Sequence, residues 1–216
     1  MAYCFFQHEN GPVIGVDEAG RGPLAGPVVA AAVVLGADVP MGLDDSKKLS
    51  AKRREVLEAE IKANCDWAIG VVEADEIDRI NIFAATMRAM TRAVSALCDQ
   101  LGQAPAQILV DGPHTPAGRE ADWQWPSRGI IGGDALEPCI SAASIIAKTH
   151  RDCLMRALAA QYPVYGWERN AGYGTAEHLA ALRRHGPAPC HRRSFKPVGA
   201  IASQILVSGG SEIAAI

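Results

Sequence analysis

Four carboxylates in this chain stand where short apolar runs stop. Asp17 and Glu18 close the run V-I-G-V and are followed by Gly20, Arg21 and Gly22; Asp111 follows Q-I-L-V and precedes Gly112 and Pro113; Asp134 follows G-I-I-G-G. Brief apolar runs bounded by glycine and proline read as buried strands, and ligands of α/β proteins collect outside the C-terminal ends of such strands. Each acid taken alone is an ordinary solvated strand end or, for Asp134, a helix-cap carboxylate ahead of Pro138. Gathered from three strands onto one edge of a sheet, they would repel one another strongly, and a divalent ion removes that cost. Oxygen donors without clustered histidine or C-x-x-C spacing select hard cations, Mg²⁺ or Mn²⁺. Two such ions roughly 3.5 to 4 Å apart can activate a water and steady a leaving 3′ oxygen at phosphorus. The chemistry expected of Asp17, Glu18, Asp111 and Asp134 is therefore metal-assisted phosphodiester hydrolysis.

The elements that would present these acids form a mixed sheet covered by helices, an α/β arrangement. Residues 27–35 (P-V-V-A-A-A-V-V-L) are small, β-branched and unpunctuated, which suits a strand buried on both faces, and residues 19–26 form the turn before it. Ser50 is a good N-cap for the helix that follows, and 67–73 reads as a third strand. Residues 76–101 carry helical spacing, with Met87 and Met90 as core filler. Strands at 107–110 and 129–133 flank an irregular segment holding Trp123 and Trp125. A helix over about 139–162 is expected to lay Ile140, Ala143, Ile146 and Ala147 on the sheet, with Lys148, Arg151 and Asp152 facing elsewhere. A glycine- and aromatic-rich loop leads to a short helix capped by Thr175, and frayed order is expected over 197–216. One domain over 1–216, with its core at about 12–196, follows from the lack of a repeat or linker.

Composition narrows the functional classes. The chain has 216 residues, 49% of them hydrophobic, enough for a real core. Its six cysteines are scattered, excluding a zinc cage or a disulfide framework, and are expected to be reduced and mostly buried. Without an apolar run long enough to span a bilayer or a signal-like start, a cytoplasmic protein with no membrane partner is expected. The net charge of −3 carries no global mark of a polyanion partner. The local exception is a basic cluster, Arg183, Arg184, His185, His191, Arg192, Arg193 and Lys196, usually just a solvated face but also the one place to hold a phosphate backbone.

Six blocks carry a specific resemblance. G-V-D-E-A-G-R-G-P-L-A-G-P at 15–27, D-S-K-K-L-S at 45–50, V-D-G at 110–112, G-D-A with the A-A-S-I-I-A-K helix, G-Y-G-T-x-x-H at 172–178 and H-R-x-S-F at 191–195 occur in the order found in ribonuclease HII, the type 2 ribonuclease H. The resemblance implies a ribonuclease H-like fold, a mixed five-stranded sheet flanked by helices with a small helical C-terminal part. It implies a metal-dependent endonuclease that cuts the RNA strand of RNA–DNA hybrids and incises 5′ of single ribonucleotides in duplex DNA, as in ribonucleotide excision repair. Products would carry a 5′-phosphate and a 3′-OH. Carried over by position, the four-acid site falls on Asp17, Glu18, Asp111 and Asp134, with Mg²⁺ or Mn²⁺, two ions during catalysis. The backbone of Gly20, Arg21 and Gly22 would read the ribose 2′-OH, glycine allowing close approach to the minor groove. Tyr173 would stack on the sugar beside the junction. Lys47, Lys48, Lys148, Arg183 and Arg192 are further phosphate-contact candidates, and a monomer is expected.

Gly132, where many relatives carry lysine, and Pro113 and His114, where they carry an Asn-Arg pair, are departures that bear on substrate contacts and metal preference. The alternatives are a DNA nuclease or resolvase of the same fold, which needs no ribose reader, and a noncatalytic hybrid-binding module. A nucleotide-binding dehydrogenase is disfavoured because the early glycines do not form G-x-G-x-x-G opening a helix.

Overall fold

The computed structural model describes residues 7–8, 11–46 and 48–209. Strands β1 (Gln7–His8), β2 (Gly11–Ala19), β3 (Val28–Val34), β4 (Asp66–Val72), β5 (Gln107–Asp111) and β6 (Ser127–Ile130) form the sheet. The order is β4-β3-β2-β5-β6, with β1 pairing onto β2 outside that row. The β2, β3 and β4 strands run antiparallel as a meander, whereas β5 and β6 add parallel to β2.

Helices cover both faces because β3 is apolar on both sides. Its even-numbered residues Val28, Ala30, Ala32 and Val34 join one core with Ile14, Val16 and the Ala85, Met90, Val94 and Leu97 face of α2 (Ala74–Leu101). The odd-numbered Ala31 and Val33 join a second core with α1 (Ala51–Asn64) and α4 (Pro138–Gln161), through Leu57, Ile61, Ile140, Ala143 and Ile146. That alternation is the pleat of a strand read at period two. The α4 helix lies so close to β2 that a Cβ on Gly15 would stand 2.2 Å from the Cys139 carbonyl carbon, so this approach requires glycine. Short α3 (Gly133–Leu136) and α5 (Trp167–Asn170), then α6 (Ala176–His185) and α7 (Lys196–Gly209), complete the chain.

Several expectations change. The strand expected at 129–133 ends at Ile130. Gly132 then turns the chain with φ 68°, so Asp134 sits in the first turn of α3 rather than at a strand end. The helix read through 76–101 starts at Ala74 and kinks at Asn81 (φ 68°), whose Oδ1 accepts the Phe83 and Ala84 N–H groups and recaps the helix. The α4 helix is buried all round from Cys139 to Ala147, and Arg151, expected to face elsewhere, is buried too. Of the tail expected to fray, residues up to 209 continue as α7, anchored by buried Val198 and Ile201 against Leu24 and Leu182, while 210–216 lie outside the described residues. The described cysteines are free, and of these only Cys139 is buried, against the expectation that most would be; Cys4 lies outside the described residues. Among the described residues no helix is long and apolar enough to cross a membrane.

Candidate active site

Parallel pairing brings the first two acids together. Val16 of β2 is in register with Val110 of β5, so Asp17 and Asp111, the next residues, lie side by side at the same end of the sheet. Asp134 reaches them from α3, its N–H donating to Asp111 Oδ1 at 3.3 Å. One carboxylate oxygen from each of Asp17, Asp111 and Asp134 lies within 4.8 Å of the others. Two of the three acids, Asp17 and Asp134, are buried. Burial first, and then the charges of Glu18 and Asp111, push the Asp17 carboxyl well above the usual carboxylate range. Crowded, all-oxygen donors raised in this way fit a hard divalent cation, which would reverse that shift and balance the charge.

Glu18 lies outside this group of three. Asp17 pairs across to Ala31 and Glu18 to Ala30, neighbours on opposite faces of β3, yet Glu18 stays close enough for its charge to raise Asp17 and lines the adjoining cleft with Ser144. The Glu18 carboxylate accepts instead from Arg21 Nη1 at 3.2 Å, while its N–H donates to Asp17 Oδ1 at 2.7 Å. Behind Asp17 stands Ser144 of α4, near enough to draw the Asp17 carboxyl partly back toward its usual range, with its hydroxyl 2.8 Å from the Ser46 hydroxyl. Sequence reasoning missed both serines, although Ser144 falls one turn after Ser141 on the small-residue face of α4.

Beside the acids a cleft of about 210 Å³ is lined by Gly20, Arg21, Gly22, Ser46, Ser144, Lys148 and Tyr173, among others. The glycine–arginine–glycine turn and Tyr173, far apart in sequence, therefore share one cavity. They are fastened together: Leu24 N–H donates to the Gly172 carbonyl at 2.8 Å. Arg151 donates to the Ala25, Pro27 and Ala171 carbonyls. Tyr173 is 51% exposed, while its carbonyl accepts from His178 Nδ1 at 2.9 Å. His178 Nε2 accepts from Trp167 Nε1 and meets His191 Nε2, each at 3.0 Å. This buried aromatic and imidazole cluster was not anticipated, because in the sequence His191 reads as part of a basic surface and His178 only as the end of the G-Y-G-T-x-x-H block.

The basic candidates separate. Lys148 lines the cleft and pairs with Asp152 at 2.7 Å. Lys48 is exposed beside Asp44, and Arg183 is exposed on α6. Lys47 lies outside the described residues. Arg192 is a correction: it is fully buried, so it cannot meet a phosphate backbone. Its guanidinium donates to the carbonyls of Gly20, Arg21, Pro23 and Gly26. Burial first, and then the Arg151 charge, push it down to about 9, still protonated at neutral pH. Buried His191 likewise drops out of the expected basic face.

With this geometry, three comparisons bear on kinship. The model of the family described as ribonuclease HII matches residues 14–198. A ribonuclease HII of Novosphingobium aromaticivorans is 72% identical over 86% of this chain and 95% of its own. One from Erythrobacter litoralis is 63% identical over 88% and 89%. The crystal structure of the ribonuclease H2 from Pyrococcus horikoshii OT3 is similar at TM-score 0.71 and 26% identity, covering 90% of this chain and 98% of that one.

Proposed function

The chain belongs to the ribonuclease HII family, and from that premise we propose that it incises duplex DNA on the 5′ side of single embedded ribonucleotides. Membership makes it a ribonuclease H endonuclease, dependent on divalent metal and acting on RNA–DNA hybrids. The observation that carries the finer reading is the convergence of Asp17, Asp111 and Asp134 within 4.8 Å, beside a cleft walled by the glycine–arginine–glycine turn and Tyr173.

In this reading Asp17, Asp111 and Asp134 hold the metal, with Glu18 beside them as the fourth acid. Mg²⁺ or Mn²⁺, two ions in the proposed reaction, would supply an activated water for in-line attack and stabilise the leaving 3′ oxygen, giving 5′-phosphate and 3′-OH ends. Ser144 orients the Asp17 carboxylate, and the α4 packing behind it keeps the group from relaxing. Gly20, Arg21 and Gly22 take the ribose, and Tyr173 stacks on the adjoining sugar. Lys148 meets phosphate inside the cleft, with Lys48 and Arg183 as outer contacts. The protein acts as a monomer built as one ribonuclease H-like domain, in the cytoplasm, on substrates of ribonucleotide excision repair.

The test is cleavage of a duplex carrying one ribonucleotide, in Mg²⁺ and in Mn²⁺, beside an all-DNA duplex of the same sequence. Cutting of the first alone is expected. Equal cutting of both would make it a DNA nuclease, and binding without cutting under either metal would make it a hybrid-binding module.

A further inference from the structure

We propose that Arg192, which lies under the cleft and touches no solvent, is the positioning residue that sets the selectivity for a ribose 2′-oxygen, by turning two backbone N–H groups of the 20–22 turn outward. The inference rests on the proposed reading of that turn as the ribose reader.

The geometry follows from peptide planarity. Arg192 Nη2 takes the Gly20 carbonyl at 2.6 Å and Nη1 takes the Arg21 carbonyl at 3.0 Å. In a trans peptide the C=O of one residue and the N–H of the next point opposite ways, and the chain has no cis bond among its described residues. The Arg21 and Gly22 N–H groups therefore point away from the guanidinium, at residues that wall the cleft. Neither has a hydrogen-bond acceptor among the described residues. Because one rigid guanidinium fork holds both carbonyls, both donors are held on one side of the turn, as a point-charge lysine could not hold them. Gly20 has φ 99°, a conformation open to glycine. Arg192 also takes the Pro23 carbonyl at 2.9 Å, fixing where the turn ends.

Two fixed N–H donors on a concave backbone suit an oxygen with free lone pairs, either a 2′-hydroxyl or a phosphate oxygen. Arg151, an equally buried guanidinium that walls the same cleft, holds the carbonyls of Ala25, Pro27 and Ala171 and not those of Gly20 or Arg21.

The experiment measures binding without metal, by fluorescence anisotropy, to a one-ribonucleotide duplex and to the all-DNA duplex of the same sequence. It compares wild type, Arg192→Met, Arg192→Lys and Leu97→Ala. Loss of a pair of aligned hydrogen bonds should cut the ribo-to-deoxy affinity ratio about tenfold or more in Arg192→Met, with Arg192→Lys only partly restoring it. Leu97→Ala, in the buried core face of α2 and outside the cleft lining, should keep the ratio within about threefold while lowering thermal stability. An unchanged ratio in Arg192→Met, or an equal loss in Leu97→Ala, overturns the proposal. Should Arg192→Met fail to fold, amide NMR of the wild type decides. The Arg21 and Gly22 signals should shift with the one-ribonucleotide duplex and not with all-DNA; equal shifts mean a phosphate contact and refute it. A wild type without ribonucleotide preference sinks the proposed function and this inference with it, whereas a selective wild type whose two amides do not respond sinks the inference alone.

Discussion

Replacing His191 with glutamine should flatten the acid limb of this protein's stability. His191 is 1% exposed, its Nδ1 accepts the Ala188 N–H at 2.9 Å, and its Nε2–H therefore faces His178 Nε2 at 3.0 Å. Both rings are neutral in this arrangement: His178 uses its Nδ1–H on the Tyr173 carbonyl, leaving Nε2 to accept from Trp167 and His191. A second proton on His191 would set an N–H against the Ala188 N–H. Burial first, then the neighbouring His178 and Arg193, push its pKa down from 6.5 to about 4. The unfolded chain thus binds a proton between pH 6.5 and 4 that the folded chain refuses, so stability is complete above 6.5 and falls as pH drops through that window. At about 1.4 kcal/mol per tenfold change in proton affinity, the loss is about 2 kcal/mol by pH 5 and about 3 kcal/mol at its limit. Urea unfolding at pH 8, 6.5, 5 and 4.5 should show the wild type losing about 2 kcal/mol more between pH 8 and 5 than His191→Gln. The variant should start about 1 to 3 kcal/mol lower at pH 8, because the Ala188 N–H loses its acceptor. Parallel pH curves would show that the imidazole pair does not hold this network neutral, and the account of how Tyr173 is anchored would fail with it.

If Tyr173 works mainly by stacking, Tyr173→Ala should lower kcat/KM on a one-ribonucleotide duplex about 10- to 100-fold and Tyr173→Phe less than about threefold; equal losses would move the role to the hydroxyl. Gly15→Ala sets a Cβ 2.2 Å from the Cys139 backbone, and urea unfolding should register a loss of about 3 kcal/mol or more. A loss under about 1 kcal/mol would mean that α4 can slide away from the acid-bearing strand.

Much of the site was legible because strand ends and glycine turns leave local marks. Asp17 and Asp111 were placed by an apolar run stopping at an acid, and parallel register then joined them. Asp134 was found for a reason that did not hold: the chain turns at Gly132 and presents the acid from a helix, a backbone choice that glycine permits but does not announce. Glu18 follows Asp17 directly, and its charge raises the Asp17 carboxyl while its own side chain lines the adjoining cleft. Arg192, Arg151 and His191 were illegible as interior groups, because a guanidinium or imidazole is buried only where carbonyls from distant segments converge on it. In the sequence Arg192 sits in a run of charges, and its partners at Gly20 and Arg21 lie over 160 residues earlier. The Ser46–Ser144 contact is equally nonlocal. The tail became a helix because Val198 and Ile201 found Leu24 and Leu182 to pack on, a tertiary gain that weak local propensity could not signal.

The central claim is that three converging carboxylates make a divalent metal centre, and Mn²⁺ titration by calorimetry tests it without any nucleic acid. Wild type should bind Mn²⁺ with saturable heat, and Asp111→Asn should weaken that binding about tenfold or more while melting at an equal or higher temperature in metal-free buffer, since one repelling charge beside Asp17 is gone. Mn²⁺ binding of equal affinity in the two proteins would contradict the account.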